Sequence, residues 1–515
     1  MRTPLSALDG KSFDVVVIGA GVNGSSAAQH LAAAGFSTLL VDKGDFASGS
    51  SSRSTRLLHC GLRYLAPGAS MWEFVLHPDK LMVALRMAKQ GMESRAQMVE
   101  ATGERTRALK FCFPIYADGP YSGWQVDLAF RLLTALGPKS VPLDYRRLDR
   151  AEVSRTPLVQ WLRAPETLRS VAMFREYQFE WPERICMDAV LDAERLGASV
   201  RNYTSAAKLD KRSDGWGVAL KDTLDGTGAA VTAKVVLNMA GIWIDQVNAS
   251  AGVPGVKRKI LGTKGVHIMI RLPPECQDYG IATLNRVREP FYCVPWRGMH
   301  YIGPTETVYE GNVDDIRPED ADIDFIVSEA NHLLPALNLK RSDILFTWAG
   351  VRPLGADPAY PKGKRSREVH DLAAEGMPNV LAMTAGPVMT HRSAGQAMTE
   401  AVAQRLKPSR APQPISYAAR RYADDPASPS LLNDHPTVKL AHLRQAAAGE
   451  HVTNLADILF RRTGAGWTAS MGYGAAEKAA EAVADLMGWS PAQVQQEARK
   501  YRAYLESQHR TGQLA

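Results

Sequence analysis

"FDVVVIGAGVNGSSAAQHLAAAGFSTLLVD", Phe13 to Asp42, is the stretch whose reading decides the fold. Phe13 to Ile18 is a short apolar, β-rich run, Ser25 to Ala34 has the composition of a helix, and Phe36 to Val41 is a second apolar strand. Between the first strand and the helix stands Gly19-Ala20-Gly21-Val22-Asn23-Gly24, with the spacing G-x-G-x-x-G. The first glycine permits a tight turn, the second lets the backbone approach a pyrophosphate, and the third lets helix and strand pack closely. The helix N-terminus then turns unpaired N–H groups and a partial positive charge toward the diphosphate. Asp42 ends the second strand, about 20 residues past the glycines, where a carboxylate accepts hydrogen bonds from ribose hydroxyls. FAD and NAD both use such a unit, so this stretch predicts a dinucleotide without choosing between them.

Composition narrows the class. The 515 residues are 45% hydrophobic, enough for a large core divided over two or three domains. Lys and Arg outnumber Asp and Glu by 61 to 54, with a pI near 9.0, which suits an anionic ligand or an anionic membrane surface. The basic residues are dispersed without an aromatic-interleaved stripe, which argues against nucleic acid. Five scattered cysteines without a C-x-x-C spacing predict reduced thiols, a cytoplasmic setting and no metal. Met1 to Lys11 lacks signal-peptide features, and no apolar run approaches the roughly 18–20 residues of a membrane span, so any membrane contact is expected to be peripheral.

The chain after Asp42 separates the two cofactors. Phe46 to Arg56 is dense in Ser and Arg and resumes as Leu57-Leu-His-Cys-Gly-Leu-Arg-Tyr-Leu65, a polar segment where something polar has to be enclosed. This run resembles the FAD-dependent glycerol-3-phosphate dehydrogenases, members of the glutathione-reductase-like flavoprotein superfamily that includes the D-amino-acid oxidases. The likeness recurs in order. Val235 to Trp243 is similar to the family's strand ending in an A-G or T-G turn, Lys264-Gly-Val-His267 to K-G-S-H, and Ile302-Gly-Pro-Thr-Glu306 to I-G-T-T-D. Ala349-Gly-Val-Arg-Pro-Leu354 is similar to S-G-V-R-P-L, Ala385 to Arg392 to G-G-K-L-T-T-Y-R, and Leu459-Phe-Arg-Arg-Thr463 to a motif of the C-terminal domain.

The expected fold class is α/β: a Rossmann-like FAD-binding domain with an inserted antiparallel-sheet substrate domain, followed by an all-α C-terminal domain. The expected FAD-binding parts are residues 1–77, 166–254 and 348–407, the substrate parts 78–165 and 255–347, and the helical domain 408–515. Helices are predicted over Pro78 to Ala101 and Trp181 to Leu196, and a strand over Ser199 to Lys208. The three prolines of Lys407 to Pro414 mark a linker, and Asn454 with Asp457 and Ser490 with Gln493 fit helix starts.

The resemblance implies a cofactor cradle of Gly19, Gly21, Asn23, Gly24, Asp42, Lys43, Ser50, Ser51, Ser52, Arg53, Ser54, Leu58, Cys60, Gly61, Ala206, Ala240, Gly241, Gly386, Met389 and Thr390. Oxidation of an alcohol by a flavin needs a base for the hydroxyl proton and a cation for the developing alkoxide. His267 is the candidate base and Arg352 the candidate cation, with Arg63, Tyr64, Arg367 and Arg392 expected at the substrate. The family lysine that would bind phosphate is Pro387 here, which has neither charge nor N–H; Lys362, Lys364 and Arg365 are the conceivable replacements. The implied reaction is oxidation of sn-glycerol 3-phosphate or a related polyol phosphate to dihydroxyacetone phosphate, with a quinone or oxygen as electron acceptor. Pro387 keeps a second substrate class open, another small anionic or unphosphorylated alcohol or amine. The resemblance also implies peripheral contact with the inner face of the cytoplasmic membrane, and leaves homodimerisation open.

Overall fold

In the computed structural model, which describes residues 2–65 and 77–510, with the side chain of Arg63 outside the description, the opening stretch forms the predicted strand–turn–helix–strand. Ser12–Ile18 pairs in parallel with Thr38–Val41 on one side and Gly228–Asn238 on the other. Val380–Thr384 and Ser199–Arg201 extend the parallel sheet outward, and the antiparallel strands Glu368–Asp371, Gly215–Asp222 and Thr204–Arg212 complete it. The helix Val22–Ala33 is buried over nearly its whole surface, because its Ser, Ala and Gly side chains let two neighbours approach. Those neighbours are Pro182–Arg195 and His391–Ala403. At Gly395, on the second of these, a Cβ would stand 2.5 Å from Ser26 Oγ and 2.6 Å from His30 Nδ1, so only glycine permits this spacing.

A second sheet covers the first. Its order runs Thr307–Val308, Ile260–Ile270, Met299–Gly303, Pro290–Trp296, Tyr279–Leu284, Thr106–Tyr116, Leu168–Phe179 and Leu57–Leu58. Ile344–Gly355 pairs along Ile260–Ile270, and Arg146–Leu148 along Leu168–Phe179. All its pairings are antiparallel except Tyr279–Leu284 with Thr106–Tyr116. The sheet boundaries fall elsewhere than the sequence suggests. Leu168–Phe179 pairs along Thr106–Tyr116, and Ile344–Gly355 along Ile260–Ile270, so both belong to the second sheet rather than to the segments 166–254 and 348–407. The predicted strand Ser199 to Lys208 is interrupted at Tyr203, whose φ of +47° ends one strand before the next begins.

The predicted helix Pro78–Ala101 is present, and Ser490 caps Pro491–His509 in a capping box with Gln493. Asn454 Oδ1 accepts from Asp457 N at 3.1 Å, as a helix start requires. No helix among the described residues is long and apolar enough to cross a membrane. The C-terminal helices share one core with the second sheet, where Phe460 and Trp467 pack against Trp296, Phe346 and Trp348. They are also bound to the nucleotide domain by charge. Arg462 donates to Asp45 through Nη1 and Nη2, both at 2.8 Å, and Arg461 meets the same carboxylate. Burial alone would raise the Asp45 pKa; the two guanidiniums overcome it and hold the group well below the usual carboxylate range. Removing one partner of a buried ion pair is costly because the other charge stays behind. Asp45→Ala is therefore expected to destabilise the protein by about 3–5 kcal/mol in denaturant unfolding; a loss below about 1 kcal/mol, the range of an exposed pair, would contradict the lock.

Candidate active site

The C-terminal ends of Ser12–Ile18, Thr38–Val41 and Gly228–Asn238 converge on a cavity of about 1130 Å³, at the upper limit of ordinary small-molecule sites. It runs from Ala206 and Leu224 past Gly19, Gly21 and Asn23 to His267, Arg352 and Pro387 beneath the second sheet. The turn leaves no space for side chains. Gly19 has φ +101°, and a Cβ there would lie 2.6 Å from the Met239 carbonyl oxygen; on Gly24 it would lie 1.8 Å from the Gly19 carbonyl oxygen. Gly24 does not line the cavity; it is the packing glycine of the motif. Asp42 accepts from Ala20 N at 2.7 Å and Gly44 N at 2.9 Å, fixing the loop that follows. Burial lifts its carboxyl to about 6, against the lowering effect of those two N–H groups. Ser51 Oγ accepts from Val22 N at 2.9 Å, which ties the Ser-rich segment to the helix N-terminus, and Ser50 Oγ donates to Val351 O at 2.6 Å, which ties it to the second sheet. Lys43 closes one edge, 4.3 Å from the Trp243 ring and paired with Asp314.

The chemical end is built on the second sheet. His267 pairs with Trp348 across Ile260–Ile270 and Ile344–Gly355, and its ring stacks on the indole at 4.7 Å and 11°. His267 Nε2 lies 3.2 Å from Thr55 Oγ1. Burial, then Arg352, then Arg56 push the imidazole well below its ordinary pKa of 6.5, so it is neutral near pH 7. Arg352 lies over Gly265, where a Cβ would come within 2.7 Å of Nη2, so the missing side chain makes room for the guanidinium beside His267. Arg53 and Arg365 line the same cavity, and Arg365 is paired with Glu306, which also lines it.

Of the residues expected at the cofactor, Gly19, Gly21, Asn23, Asp42, Lys43, Ser50, Ser51, Arg53, Ser54, Ala206, Ala240, Gly241 and Gly386 line the cavity, as do His267, Arg352 and Tyr64. Others do not reach it. Ser52 donates to the Gly49 carbonyl, Thr390 to the Pro387 carbonyl, and Leu58 and Met389 are buried in one apolar cluster. Cys60 is buried, with its N–H on Glu176 at 2.8 Å, and Gly61, φ +87°, turns against Ala88. Arg367 is spent on Thr390 O and Ser393 Oγ at 3.2 and 2.8 Å. Arg392 lies 4.0 Å from the Tyr417 ring centroid and donates to Gln97 O. Neither of these two arginines lines the cavity, whereas Arg365 does. The side chain of Arg63 lies outside the described residues. Sequence reading missed Thr55, Arg56, Glu183, Trp348 and Trp467; the signal available for Arg56 was an arginine closing a Ser-rich run immediately before an apolar strand.

This arrangement is that of a dinucleotide-binding enzyme whose cavity continues under a second sheet. A model of the FAD dependent oxidoreductase family matches residues 14–401, and the chain belongs to that family. A glycerol-3-phosphate dehydrogenase of Synechocystis sp. is 28% identical over 559 residues, covering 96% of each chain. The structure of the glycerol-3-phosphate dehydrogenase from Bacillus halodurans complexed with FAD aligns with a TM-score of 0.70 at 20% identity, over 98% of this chain and 96% of that one. L-alpha-glycerophosphate oxidase from Mycoplasma pneumoniae with FAD bound aligns with a TM-score of 0.60 at 15% identity, over 79% of this chain and 98% of that one. FAD is the cofactor, and the bare glycine turn, the helix N-terminus and the buried Asp42 carboxylate fit it.

Asp42 gives a pH test on the cofactor-free protein. The folded carboxyl keeps its proton up to about 6, whereas the unfolded one releases it near 3.8. The stability carried by the protonated form is full below the unfolded value and lost as pH rises through the folded one. Urea unfolding of Asp42→Asn between pH 4 and 7 is expected to show a weaker fall in stability than the native chain; an identical slope would contradict the assignment.

Proposed function

We propose that this FAD-dependent oxidoreductase oxidises sn-glycerol 3-phosphate, or a closely related phosphorylated polyol, to the corresponding ketone. The observation that carries this reading is the neutral His267 beside the Arg352 guanidinium, on one sheet face, in a cavity that also holds Arg53 and Arg365. FAD would be held by the Gly19–Gly21 turn and Asp42 and would supply the hydride acceptor for the carbinol carbon. The imidazole of His267 takes the hydroxyl proton, and Thr55 and Trp348 fix the ring that does so. Arg352 stabilises the alkoxide as it develops. Arg365 takes the phosphate, after exchanging its contact with Glu306 for the ligand. Electrons leave to a quinone, with the protein in peripheral contact with the membrane; the similarity to dehydrogenases supports an acceptor other than oxygen.

A second reading has its own observation. Pro387 lines the cavity, Arg367 and Arg392 turn away from it, and Arg365 is already neutralised by Glu306. A less charged alcohol or an amine suits such a site. Anaerobic mixing of the FAD-loaded protein with polyol phosphates, plain polyols and amino acids separates the two. Bleaching by sn-glycerol 3-phosphate is expected, with His267→Asn slowing it about 10²- to 10⁴-fold and Arg365→Met weakening the phosphate ligand by about 1.5–3 kcal/mol. Bleaching by an unphosphorylated compound alone would establish the second reading.

A further inference from the structure

At the chemical end of the cavity, among the residues that line it, stands a buried cation that the proposed reaction does not use. The Arg56 side chain is fully buried, with its guanidinium 4.3 Å from the Trp296 ring centroid, 4.4 Å from Trp467 and 6.0 Å from Trp348. Both terminal nitrogens donate to Glu183 at 3.2 Å, and Trp467 Nε1 donates to the same carboxylate at 3.0 Å. Glu183 stands in the first turn of Pro182–Arg195, where a negative charge is favoured. Arg56 has φ +59°, the left-handed region that a long side chain seldom adopts, so its contacts hold it in a costly conformation. Its neighbour Thr55 faces the base: the hydroxyl lies 3.2 Å from His267 Nε2, and the carbonyl accepts from Tyr301 Oη at 2.6 Å. The Tyr301 ring in turn meets His267 edge-on at 5.7 Å.

We infer that Thr55 and Arg56 form a positioning pair for His267, and that the C-terminal domain takes part in the active site by supplying Trp467 as one wall of the cage that holds Arg56. The cage fixes the backbone of residue 56, and with it the hydroxyl of residue 55. Trp467 also packs on Trp348, the ring beneath His267. A permanent cation enclosed by indoles is weakly screened, so its field disfavours a second positive charge on the imidazole. The charged and titratable groups facing His267 are Arg352 on the paired strand, Tyr301 on the other neighbouring strand and Arg56 on the incoming segment. Glu183 stands behind Arg56, and Arg365 and Glu306 line the same cavity. This inference rests on His267 as the base, but its test does not require turnover.

The test is histidine NMR on the full FAD-loaded chain carrying ¹³C,¹⁵N-labelled histidine, with the His267 signals identified by their loss in His267→Asn. In the native protein the His267 midpoint is expected well below 6.5. In Arg56→Met/Glu183→Gln, which removes the cation and its counter-charge together, the midpoint is expected to rise toward the ordinary value, while Arg56→Lys stays close to the native value. Thr55→Val is expected to change the ¹⁵N tautomer signature and lower kcat more than it alters KM, with Thr55→Ser close to native. Trp467→Ala is expected to move His267 in the same direction as the double variant, and Trp467→Phe to move it less. A native midpoint in the double variant, or a native tautomer signature in Thr55→Val, overturns the inference. Should the double variant not fold, the Thr55 variants and Trp467→Phe decide alone. Rapid flavin bleaching by His267→Asn would defeat the base assignment without touching these shifts.

Discussion

The close approach of one turn of backbone to another governs this molecule. Gly19 lies against Met239 and Ala240, and Gly24 against Gly19, with no room for a Cβ at either glycine. That contact brings the ends of three parallel strands together and leaves an opening above them, bounded by a helix N-terminus and a buried carboxylate. Ligands of open α/β sheets bind outside the carboxyl ends of the strands, and the cavity lies there. The second sheet then sets what lines the cavity: Gly265 yields space to the Arg352 guanidinium and Gly350 to the backbone and Cβ of Arg53, and both arginines line it.

Charge is buried here in compensated sets. Asp45 is held by Arg461 and Arg462, Glu183 by Arg56, and Glu450 by Arg184 at 2.8 Å. Such sets cost desolvation and are a poor source of net stability, but a misplaced partner is severely penalised, so they fix arrangement. Each joins segments distant in the chain, and the sets at Asp45 and Glu450 reach into the C-terminal helices. Those helices also share an aromatic core with the sheet that carries His267. The result is one framework that ties the loop after Asp42, the strand of His267 and the C-terminal region together.

The parts of this framework that were legible in the sequence are those set by local rules. The G-x-G-x-x-G turn and the Ser490 cap depend on spacing over a few residues and the structure forms both, with Asp42 at the end of its strand lining the cavity. His267 and Arg352 were singled out through resemblance, since neither alternation nor composition separates a base from a structural histidine, and both line the cavity. What could not be read depends on long-range pairing. The strand Leu168–Phe179 carries no mark of the sheet it joins, because that is decided by Thr106–Tyr116 far upstream. Arg367 and Arg392 match positions that could bind phosphate, yet Ser393 and Tyr417 claim them. Arg56 was legible only as the end of a polar, Ser- and Arg-rich segment, because the two indoles and the carboxylate that enclose it come from three remote segments.

The central claim is that a carbinol hydrogen leaves its carbon within this cavity while His267 takes the hydroxyl proton. Anaerobic stopped-flow reduction of the FAD-loaded protein by sn-glycerol 3-phosphate carrying deuterium at the carbinol carbon tests it most directly. Flavin bleaching slowed by deuterium, with a pH dependence that disappears in His267→Asn, is the predicted result. Bleaching that is indifferent to deuterium and to His267, or no bleaching by this compound, would contradict it.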